Sequence, residues 1–237
     1  EKFCAAKISK FRLDICDERE IINLSREINI ISQLNHPSIL KYIGFNSKNF
    51  NNKPKPVIIV ELASNGSLEQ ILNLERKGLS HHEWDDTKKL INIYGIASGM
   101  AYLHNQNIIH RDLKPANILL DEHLFPKIAD FGLSKIKHSK EESMTQQSTA
   151  KAKGTPIYIA PESWTNYEYT KAVDVYAFAF IVFEILTAED IFKGADIFQL
   201  MMNVLDGVRP EIPSFVPEPF KNLITKCWDQ EPTNRPT

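Results

Sequence analysis

The sequence predicts an α+β protein with a small strand-rich part, residues 1–63, followed by a larger and mainly helical part, residues 64–237. Up to residue 63, short runs of β-branched and aromatic residues surround one strong helical pattern. Beyond it, apolar residues recur almost only at helical spacing. The chain has 237 residues, of which 43% are hydrophobic and 24% are charged. This composition is typical of a folded globular protein and excludes a disordered one.

Three strands and one helix are predicted in the first part. The strand-like runs lie at residues 3–8, 39–45 and 57–62. Asp17 and Glu20 have the spacing of a capping box at the start of the helix, and the segment Asn35-His36-Pro37 ends it. Glu27 shares the apolar face of this helix, so its carboxylate needs a partner, which the strands could supply.

The second part begins with a short connector, residues 63–66, which we interpret as a hinge. Residues at helical spacing predict three helices in this part. The first has Leu90, Ile93, Ala97, Met100 and His104 on one face; the second has Ile197, Leu200, Met201, Val204 and Leu205; the third has Phe220, Leu223, Ile224, Cys227 and Trp228. The apolar stretch 172–186 contains Asp174 and Glu184, which predicts a buried helix and not a membrane span. Residues 133–153 have little periodicity and predict a long loop.

The charges and cysteines limit the partners and the compartment. Lys and Arg number 28 and Asp and Glu number 30, a net charge of −2. This balance provides no overall field for nucleic acid or an anionic membrane, so neither partner is expected. The three cysteines are too few and too widely spaced for a disulfide framework. They favour a reducing compartment, and we expect the protein to be cytoplasmic.

Three short motifs lie in the middle of the chain. Residues 110–117 read H-R-D-L-K-P-A-N, residues 130–132 read D-F-G, and residues 160–162 read A-P-E. Upstream, Lys7 ends the run C-A-A-K on a predicted strand, and Glu27 lies on the helix that follows. This set, in this order and in these structural contexts, resembles the signature of the protein kinases, with Lys7 at the strand lysine of the V-A-I-K pattern.

The resemblance covers the whole chain and implies a bilobal protein-kinase-like fold. Residues 1–63 would form a partial N-lobe with the family's third strand, C-helix, and fourth and fifth strands, and residues 64–237 would form the C-lobe. Within the C-lobe, residues 110–117 would be the catalytic loop and residues 130–162 the activation segment. Structural roles are also implied: Asp174 would brace the catalytic loop, and Glu162 would pair with Arg235.

The subgroup follows from two further similarities. The ending C-W-D-Q-E-P-T-N-R-P at residues 227–236 resembles that of tyrosine kinases and tyrosine kinase-like kinases. Lys114, two residues after Asp112, and the segment Gly154-Thr155-Pro156 are similar to serine/threonine kinases. The chain therefore resembles a tyrosine kinase-like (TKL) serine/threonine kinase, whose substrates would be Ser and Thr hydroxyls of proteins.

The resemblance implies ATP and Mg²⁺ as cofactors, with a role for each site residue. Asp112 would accept or orient the proton of the substrate hydroxyl, and Lys114 would place a positive charge near the transferred phosphoryl group. Lys7 would contact the α- and β-phosphates and be held there by an ion pair with Glu27.

Further residues would hold the metal ion and the adenine. Asn117 and Asp130 would bind Mg²⁺, which prefers hard oxygen ligands. The adenine side of the site would be formed by the gatekeeper Val60, the following residues Glu61 and Ala63, and Leu119.

One departure from the family leaves alternatives open. The glycine-rich loop G-x-G-x-x-G is absent, because no glycine precedes Gly44. We therefore expect a trimmed part of a longer kinase, without the first two strands, their loop and the last helix. The alternatives are a pseudokinase or scaffold that binds partners without phosphoryl transfer, and a fragment that is inactive without the loop. The presence of Lys7, Asp112, Asn117 and Asp130 favours an active kinase.

Regulation by phosphorylation is also predicted. Arg111 carries a guanidinium that needs an anionic partner. A phosphate at Thr145, Ser148 or Thr149 would supply it. The phosphate would come from an upstream kinase or from a second copy of the chain in trans-autophosphorylation.

Overall fold

The structure is a computed structural model, and it describes residues 3–136, 156–165, 169–191 and 196–237. Its strands are β1 (Cys4–Ile8), β2 (Tyr42–Asn46), β3 (Val57–Glu61), β4 (Ile108–Ile109), β5 (Ile118–Leu120), β6 (Pro126–Ile128) and β7 (Lys135–Ile136). Its α-helices are α1 (Glu18–Ile31), α2 (Leu68–Arg76), α3 (Asp86–Asn105), α4 (Pro161–Thr165), α5 (Ala172–Thr187), α6 (Ile197–Leu205) and α7 (Glu218–Cys227). The predicted α+β class, with a small strand-rich lobe and a larger helical lobe, is confirmed.

The sheet of the N-lobe consists of three antiparallel strands in the order β1-β3-β2. The central strand β3 contributes the buried Val57, Ile58 and Val60 to the core. Its register with β1 places Lys7 opposite Ile58. The backbone of Lys7 is therefore fixed by its pairing with the buried strand β3.

The helix of the N-lobe begins where its sequence predicts. The Asp17 side chain accepts a hydrogen bond from the Glu20 N–H at 2.8 Å, as an N-cap residue does. The predicted end is wrong, because α1 ends at Ile31 and not at the segment 35–37. Leu34 is nevertheless buried, since the turn after the helix folds back on the core.

The strand predicted at 39–45 begins later, at Tyr42. Ile39 instead forms a parallel bridge with Ile128 of the C-lobe. The Leu40 N–H donates to the Ile128 C=O at 2.9 Å, and the Ile128 N–H donates to the Ser38 C=O at 2.8 Å. Tertiary pairing between the lobes thus takes the first residues of the β-rich run out of the N-lobe sheet.

The loop before β2 is attached to α3 by side chains. The Tyr102 hydroxyl accepts a hydrogen bond from the Asn35 N–H at 3.1 Å, and the rings of Tyr102 and His36 stack 5.2 Å apart. His36 Nδ1 accepts from the Ser38 N–H at 3.1 Å. Because Nδ1 is an acceptor, Nε2 carries the proton of the neutral ring and donates to the Ser98 hydroxyl, 3.2 Å away.

Most of the predicted face of α3 is buried, including Ile93, Met100 and His104, and the exception is Leu90. Leu90 is 46% exposed, so its assignment to the inner face is wrong. The helix approaches β6 through two glycines: a Cβ on Gly95 would lie 2.6 Å from Pro126 Cγ, and one on Gly99 would lie 2.8 Å from Ile128 Cδ1. The closest contact of the helix is therefore made by residues without a side chain, which a hydrophobic pattern does not reveal.

The core of the C-lobe is built around α5. Every residue from Val173 to Ile185 is buried, including the two carboxylates of Asp174 and Glu184. The helix packs against α3 and α7. The predicted buried helix is confirmed. In the described residues, no helix is both long and apolar enough to cross a membrane.

The His36 contacts predict a pH dependence. Burial lowers the pKa of His36 below its ordinary value of 6.5. The unfolded chain therefore binds a proton more readily than the folded one, and the stability that the neutral ring contributes is present above pH 6.5 and lost as the pH falls through the lowered pKa. We expect the free energy of unfolding to fall between pH 7 and pH 5 more steeply in the native chain than in His36→Asn.

The Asn variant is the matched comparison because its side-chain oxygen can accept the same Ser38 N–H without titrating. Urea unfolding of both chains at several pH values measures the difference. Parallel pH profiles for the two chains would show that His36 does not contribute.

Candidate active site

The carboxylate of Asp174 joins three elements at the centre of the C-lobe. Asp174 is 1% exposed at the start of α5. Its Oδ2 accepts from the His110 N–H at 2.8 Å and from Nε2 of His104 on α3 at 2.9 Å, and its Oδ1 accepts from the Arg111 N–H at 2.8 Å. Asp174 thus fixes the first two residues of the predicted catalytic loop, as the resemblance implies.

This bracing holds a backbone conformation that is otherwise unfavourable. Arg111 has a φ of 70°, in the left-handed region that residues other than glycine seldom occupy. The fully buried His110 is fixed as well, because its Nε2 donates to the Ala129 C=O at 3.0 Å. The backbone position of the next residue, Asp112, is therefore set by buried neighbours.

Asp112 is held by two side chains from its own loop. Lys114 Nζ lies 2.9 and 3.1 Å from its two carboxylate oxygens. Asn117 Nδ2 donates to the Asp112 carboxylate at 2.8 Å and to the Asp112 C=O at 2.7 Å. Since both of these partners are acceptors, the amide orientation of Asn117 is fixed with Nδ2 towards Asp112. Its carbonyl oxygen is left for another partner.

A second cluster brings together residues from three distant parts of the chain. Lys7 Nζ on β1 lies 2.7 Å from Glu27 Oε1 on α1 and 3.0 Å from Asp130 Oδ1. Burial alone would lower the pKa of Lys7, but the charges and hydrogen bonds of Glu27 and Asp130 outweigh burial, so the pKa is raised. The predicted ion pair between Lys7 and Glu27 is present.

Asp130 is aimed at Lys7 by its neighbours. Its φ is 63°, and the following Phe131 is buried with its ring edge-to-face with the His110 ring, at a distance of 5.2 Å between the ring centroids. Burial alone would raise the pKa of Asp130, but Lys7 and the Gly132 N–H outweigh it and the pKa is lowered. Asp130 therefore faces Lys7 as a carboxylate at neutral pH.

The two clusters are joined through the main chain. The Ala129 N–H donates to the Asn117 C=O at 2.9 Å, which fixes the segment before Asp130 against the end of the loop at residues 110–117. In the ranges that the structure describes, no side-chain hydrogen bond links the Lys7 cluster with the Asp112 cluster. The two clusters together present three carboxylates, those of Glu27, Asp112 and Asp130, and the two lysines Lys7 and Lys114.

The residues predicted on the adenine side lie on the strand β3, the connector and β5. Val60 is buried, and Glu61 is held by its Oε1, which accepts from the Lys41 N–H at 2.8 Å. The connector pairs with β5, because the Asn65 N–H donates to the Leu120 C=O at 3.0 Å. This pairing brings the segment that contains Ala63 next to the strand that contains the half-buried Leu119.

A buried network around Glu184 was missed from the sequence. Glu184 accepts hydrogen bonds from the Tyr158 hydroxyl and, at 2.6 Å, from Arg76 Nη2. Arg76 also donates to the main-chain carbonyls of Ala188 and Glu189 at 2.9 and 2.7 Å. Burial raises the pKa of Glu184, and the hydrogen bonds from Tyr158 and Arg76 offset part of that shift. The feature of the sequence that could have revealed this network is Glu184, a carboxylate in an otherwise apolar helix.

The predicted pair of Glu162 and Arg235 is present and bidentate, with distances of 2.7 and 2.9 Å. It fixes α4 to the end of the chain. Some predicted residues lie outside the described ones: Thr145, Ser148, Thr149, Gly154 and Thr155.

The position of Asp174 leads to a stability prediction. Asp174→Asn turns an NH₂ group towards at least one of three donors and leaves buried donors without an acceptor. We expect the free energy of unfolding to fall by about 2–4 kcal/mol, with a loss of ordering in the loop. Urea denaturation measures it, and Asp206→Asn is the control because that carboxylate is exposed. Equal losses in the two variants would contradict the bracing role.

Comparison with known proteins agrees with this geometry. A family model described as protein tyrosine and serine/threonine kinase matches residues 4–237. Two relatives from Acanthamoeba polyphaga mimivirus, each named a serine/threonine-protein kinase/receptor, are 37% and 38% identical to this chain over 232 residues. Each match covers 97% of this chain and 13% of the relative. The serine/threonine-protein kinase drkC of Dictyostelium discoideum is 40% identical over 237 residues, 97% of this chain and 30% of the relative. The chain thus spans less than a third of these relatives, and it belongs to the protein kinase family.

Proposed function

We propose that this chain is the catalytic domain of a tyrosine kinase-like serine/threonine kinase, which transfers the γ-phosphate of ATP to Ser or Thr hydroxyls of proteins. The observation that carries the proposal is the placement of Lys7 between Glu27 and Asp130, at 2.7 and 3.0 Å. Protein kinases require the ion pair between the strand lysine and the helix glutamate for activity. This chain forms that pair.

The Asp112 cluster supports a role with the acceptor hydroxyl. Asp112 accepts the hydrogen bond of the hydroxyl and takes its proton, in an orientation fixed by Lys114 and Asn117. Lys114 Nζ, within 3.1 Å of both Asp112 oxygens, keeps a positive charge beside the group that is transferred. Phosphoryl transfer needs mainly positioning and charge neutralisation, and these side chains provide both.

The residues present fit a magnesium ion. The Asn117 carbonyl oxygen is turned away from Asp112, and the lowered pKa of Asp130 keeps a carboxylate available. Mg²⁺ is usually held by one or two protein oxygens together with phosphate oxygens and water. The described residues contain no group of three or more His, Cys, Asp or Glu that could form an all-protein site. Bound there, Mg²⁺ would neutralise phosphate charge, and Asn117 and Asp130 would hold it.

The adenine is proposed to bind at the connector between the lobes. Val60 closes the inner side of this site, Glu61 and Ala63 offer main-chain groups, and Leu119 offers an apolar surface from β5. The support is positional, since the connector is hydrogen-bonded to β5.

Serine/threonine specificity is supported by Lys114 and by the names of the relatives. A pseudokinase or scaffold that binds partners without phosphoryl transfer is the second candidate. The geometry of Lys7, Asp112, Asn117 and Asp130 favours catalysis. The protein is proposed to work inside the cell, because the three cysteines of the sequence are too few and too widely spaced for a disulfide framework.

Kinetics on the full-length protein tests the roles of the two clusters. Asp112→Asn removes the proton acceptor, so we expect kcat to fall by about 10²-fold or more while the KM for ATP changes little. Lys7→Met removes a phosphate contact, so kcat should fall and the KM for ATP should rise. Asp86→Asn, an exposed carboxylate on α3, is the control. A near-native kcat in Asp112→Asn would contradict the role of Asp112 as proton acceptor and would favour the scaffold function.

Arg111 supports regulation by phosphorylation. Its guanidinium lies 3.9 Å from the centre of the Tyr169 ring, and its buried Nε has no hydrogen-bond partner. It lines a cavity of about 20 Å³ beside Tyr169. No ion pair joins Arg111 to any described residue. We propose that a phosphate on Thr145, Ser148 or Thr149, added by an upstream kinase or a second copy, docks on Arg111.

Mass spectrometry of the active protein followed by substitution tests this proposal. Replacing Thr145, Ser148 and Thr149 together by Ala should remove most of the activity that incubation with ATP adds, since Arg111 then has no phosphate to bind. Ser214→Ala, on an exposed loop, is the control. Full activity of the triple variant would rule out this switch.

A further inference from the structure

One end of the N-lobe sheet carries four lysines. The last residue of β1 and the last residue of β2 both lie opposite Val57, the first residue of β3. Lys10 and Lys48 follow the ends of β1 and β2 by two residues, and Lys55 precedes β3 by two residues. These lysines therefore lie at the same end of the sheet, and Lys53 belongs to the same loop as Lys48 and Lys55. We call this surface the basic end of the sheet, and its members are Lys10, Lys48, Phe50, Lys53 and Lys55.

The two loops that carry the basic end are hydrogen-bonded to each other. The Ser9 N–H, in the loop after β1, donates to the Pro56 C=O at 2.8 Å. The Leu13 N–H donates to the Pro54 C=O, also at 2.8 Å. Both acceptors belong to the loop between β2 and β3. The lysines of the two loops are thus attached to one another through the main chain and form one surface.

The positive charge of the basic end is not offset by its own loops. None of its four lysine side chains makes a hydrogen bond or an ion pair with another described residue. The loop between β2 and β3, residues 47–56, contains no Asp or Glu. In the loop after β1, Asp14 pairs with Arg12 at 2.6 Å and Asp17 caps α1, and Glu18 and Glu20 come only in the first turn of that helix. The net charge of −2 is therefore unevenly distributed, and this end of the N-lobe is positive.

An aromatic side chain stands at the tip of the loop between β2 and β3. Asn49 Oδ1 accepts hydrogen bonds from the Asn51 N–H at 3.1 Å and the Lys53 N–H at 3.0 Å. The Asn52 N–H donates to the Asn49 C=O at 2.9 Å, so the tip is an ordered turn. Phe50 is 77% exposed on this turn. One exposed ring alone is ordinary, but an apolar ring among lysines is the combination that binds at a membrane interface.

The residue types of the basic end favour a lipid surface over a nucleic acid. Nucleic-acid readers use Arg for bidentate contacts, and the only arginine of these two loops, Arg12, is engaged with Asp14 through two hydrogen bonds. A lysine ammonium is a point charge that attracts anionic headgroups without a fixed geometry. Anionic lipids present negative charge above an apolar interior, which suits lysines around a phenyl ring.

We propose that the basic end of the sheet docks on the surface of an anionic lipid bilayer. The lysines lie against the headgroups, and Phe50 enters the boundary between headgroups and acyl chains. The basic end precedes β3 and the connector follows that strand, so the two lie at opposite ends of β3. Docking therefore leaves the connector free. The proposal concerns binding alone and does not rest on phosphoryl transfer.

Sedimentation with lipid vesicles tests the charge. The full-length protein is mixed with vesicles of phosphatidylcholine, either pure or containing about 30% phosphatidylserine as the anionic lipid. Replacing Lys48 and Lys53 together by Gln should weaken binding to the anionic vesicles by about 10- to 30-fold, since each lysine near such a surface contributes about 5-fold. Replacing Lys77 and Lys226 by Gln is the control, because both are exposed lysines of the C-lobe and the net charge changes equally. The control should bind like the native protein.

A second pair of variants tests the ring. Phe50→Ser keeps the turn, which Asn49 forms, and should weaken binding by about 3- to 10-fold because less apolar surface enters the interface. Phe215→Ser, at a ring that is 67% exposed in the C-lobe, should leave binding unchanged. The fluorescence of Phe50→Trp should shift to shorter wavelength on anionic vesicles, since an indole settles at the interface.

Hydrogen exchange locates the contact. Residues 47–55 should exchange more slowly on anionic vesicles than on neutral ones, and all variants are compared in the same full-length background so that other segments contribute equally. Equal binding to the two kinds of vesicle, equal losses in the two lysine pairs, or unchanged exchange in residues 47–55 would overturn the proposal. A single-stranded oligonucleotide that binds more tightly than the vesicles, and is weakened by the Lys48 and Lys53 replacements but not by Phe50→Ser, would overturn it in favour of nucleic acid.

Discussion

The burial of one carboxylate, that of Asp174, determines the geometry of the loop at residues 110–117. A buried carboxylate is tolerated only when its oxygens are satisfied, and here the donors come from α3 and from two successive main-chain N–H groups. The same hydrogen bonds hold Arg111 at a positive φ. The position of Asp112 therefore depends on a side chain that is inaccessible to any substrate, and the stability of the lobe and the order of the site are supported by the same contacts.

The Lys7 cluster shows the opposite balance. Burial opposes the charged forms of Lys7 and Asp130, and each is kept charged by the other and by nearby donors and acceptors. Lys7 is still half exposed, so this cluster is a local electrostatic arrangement and not a rigid core. Its geometry depends on where α1 stands, and α1 is packed mainly by its last turn.

The sequence predicted the lobes, the cap at Asp17 and the partners of Glu27 and Arg235, because each depends on a local pattern or on a motif with a fixed spatial role. It did not predict the end of α1, the pairing of Ile39 with Ile128, or the network of Tyr158, Glu184 and Arg76. Those features depend on contacts between residues that are far apart in sequence, and no periodicity in the chain encodes them. The roles of Val60, Ala63 and Leu119 remain predictions.

The approach of α3 to β6 has a consequence for the evolution of the chain. Gly95 faces the ring of Pro126, which cannot rotate away as a longer side chain would, and an added Cβ would lie 2.6 Å from it. A larger residue at position 95 therefore needs a second, compensating mutation on β6, and two such mutations seldom arise together. Invariance at this position among related chains would record the spacing of two backbones, and it should not be counted as a sign of chemistry.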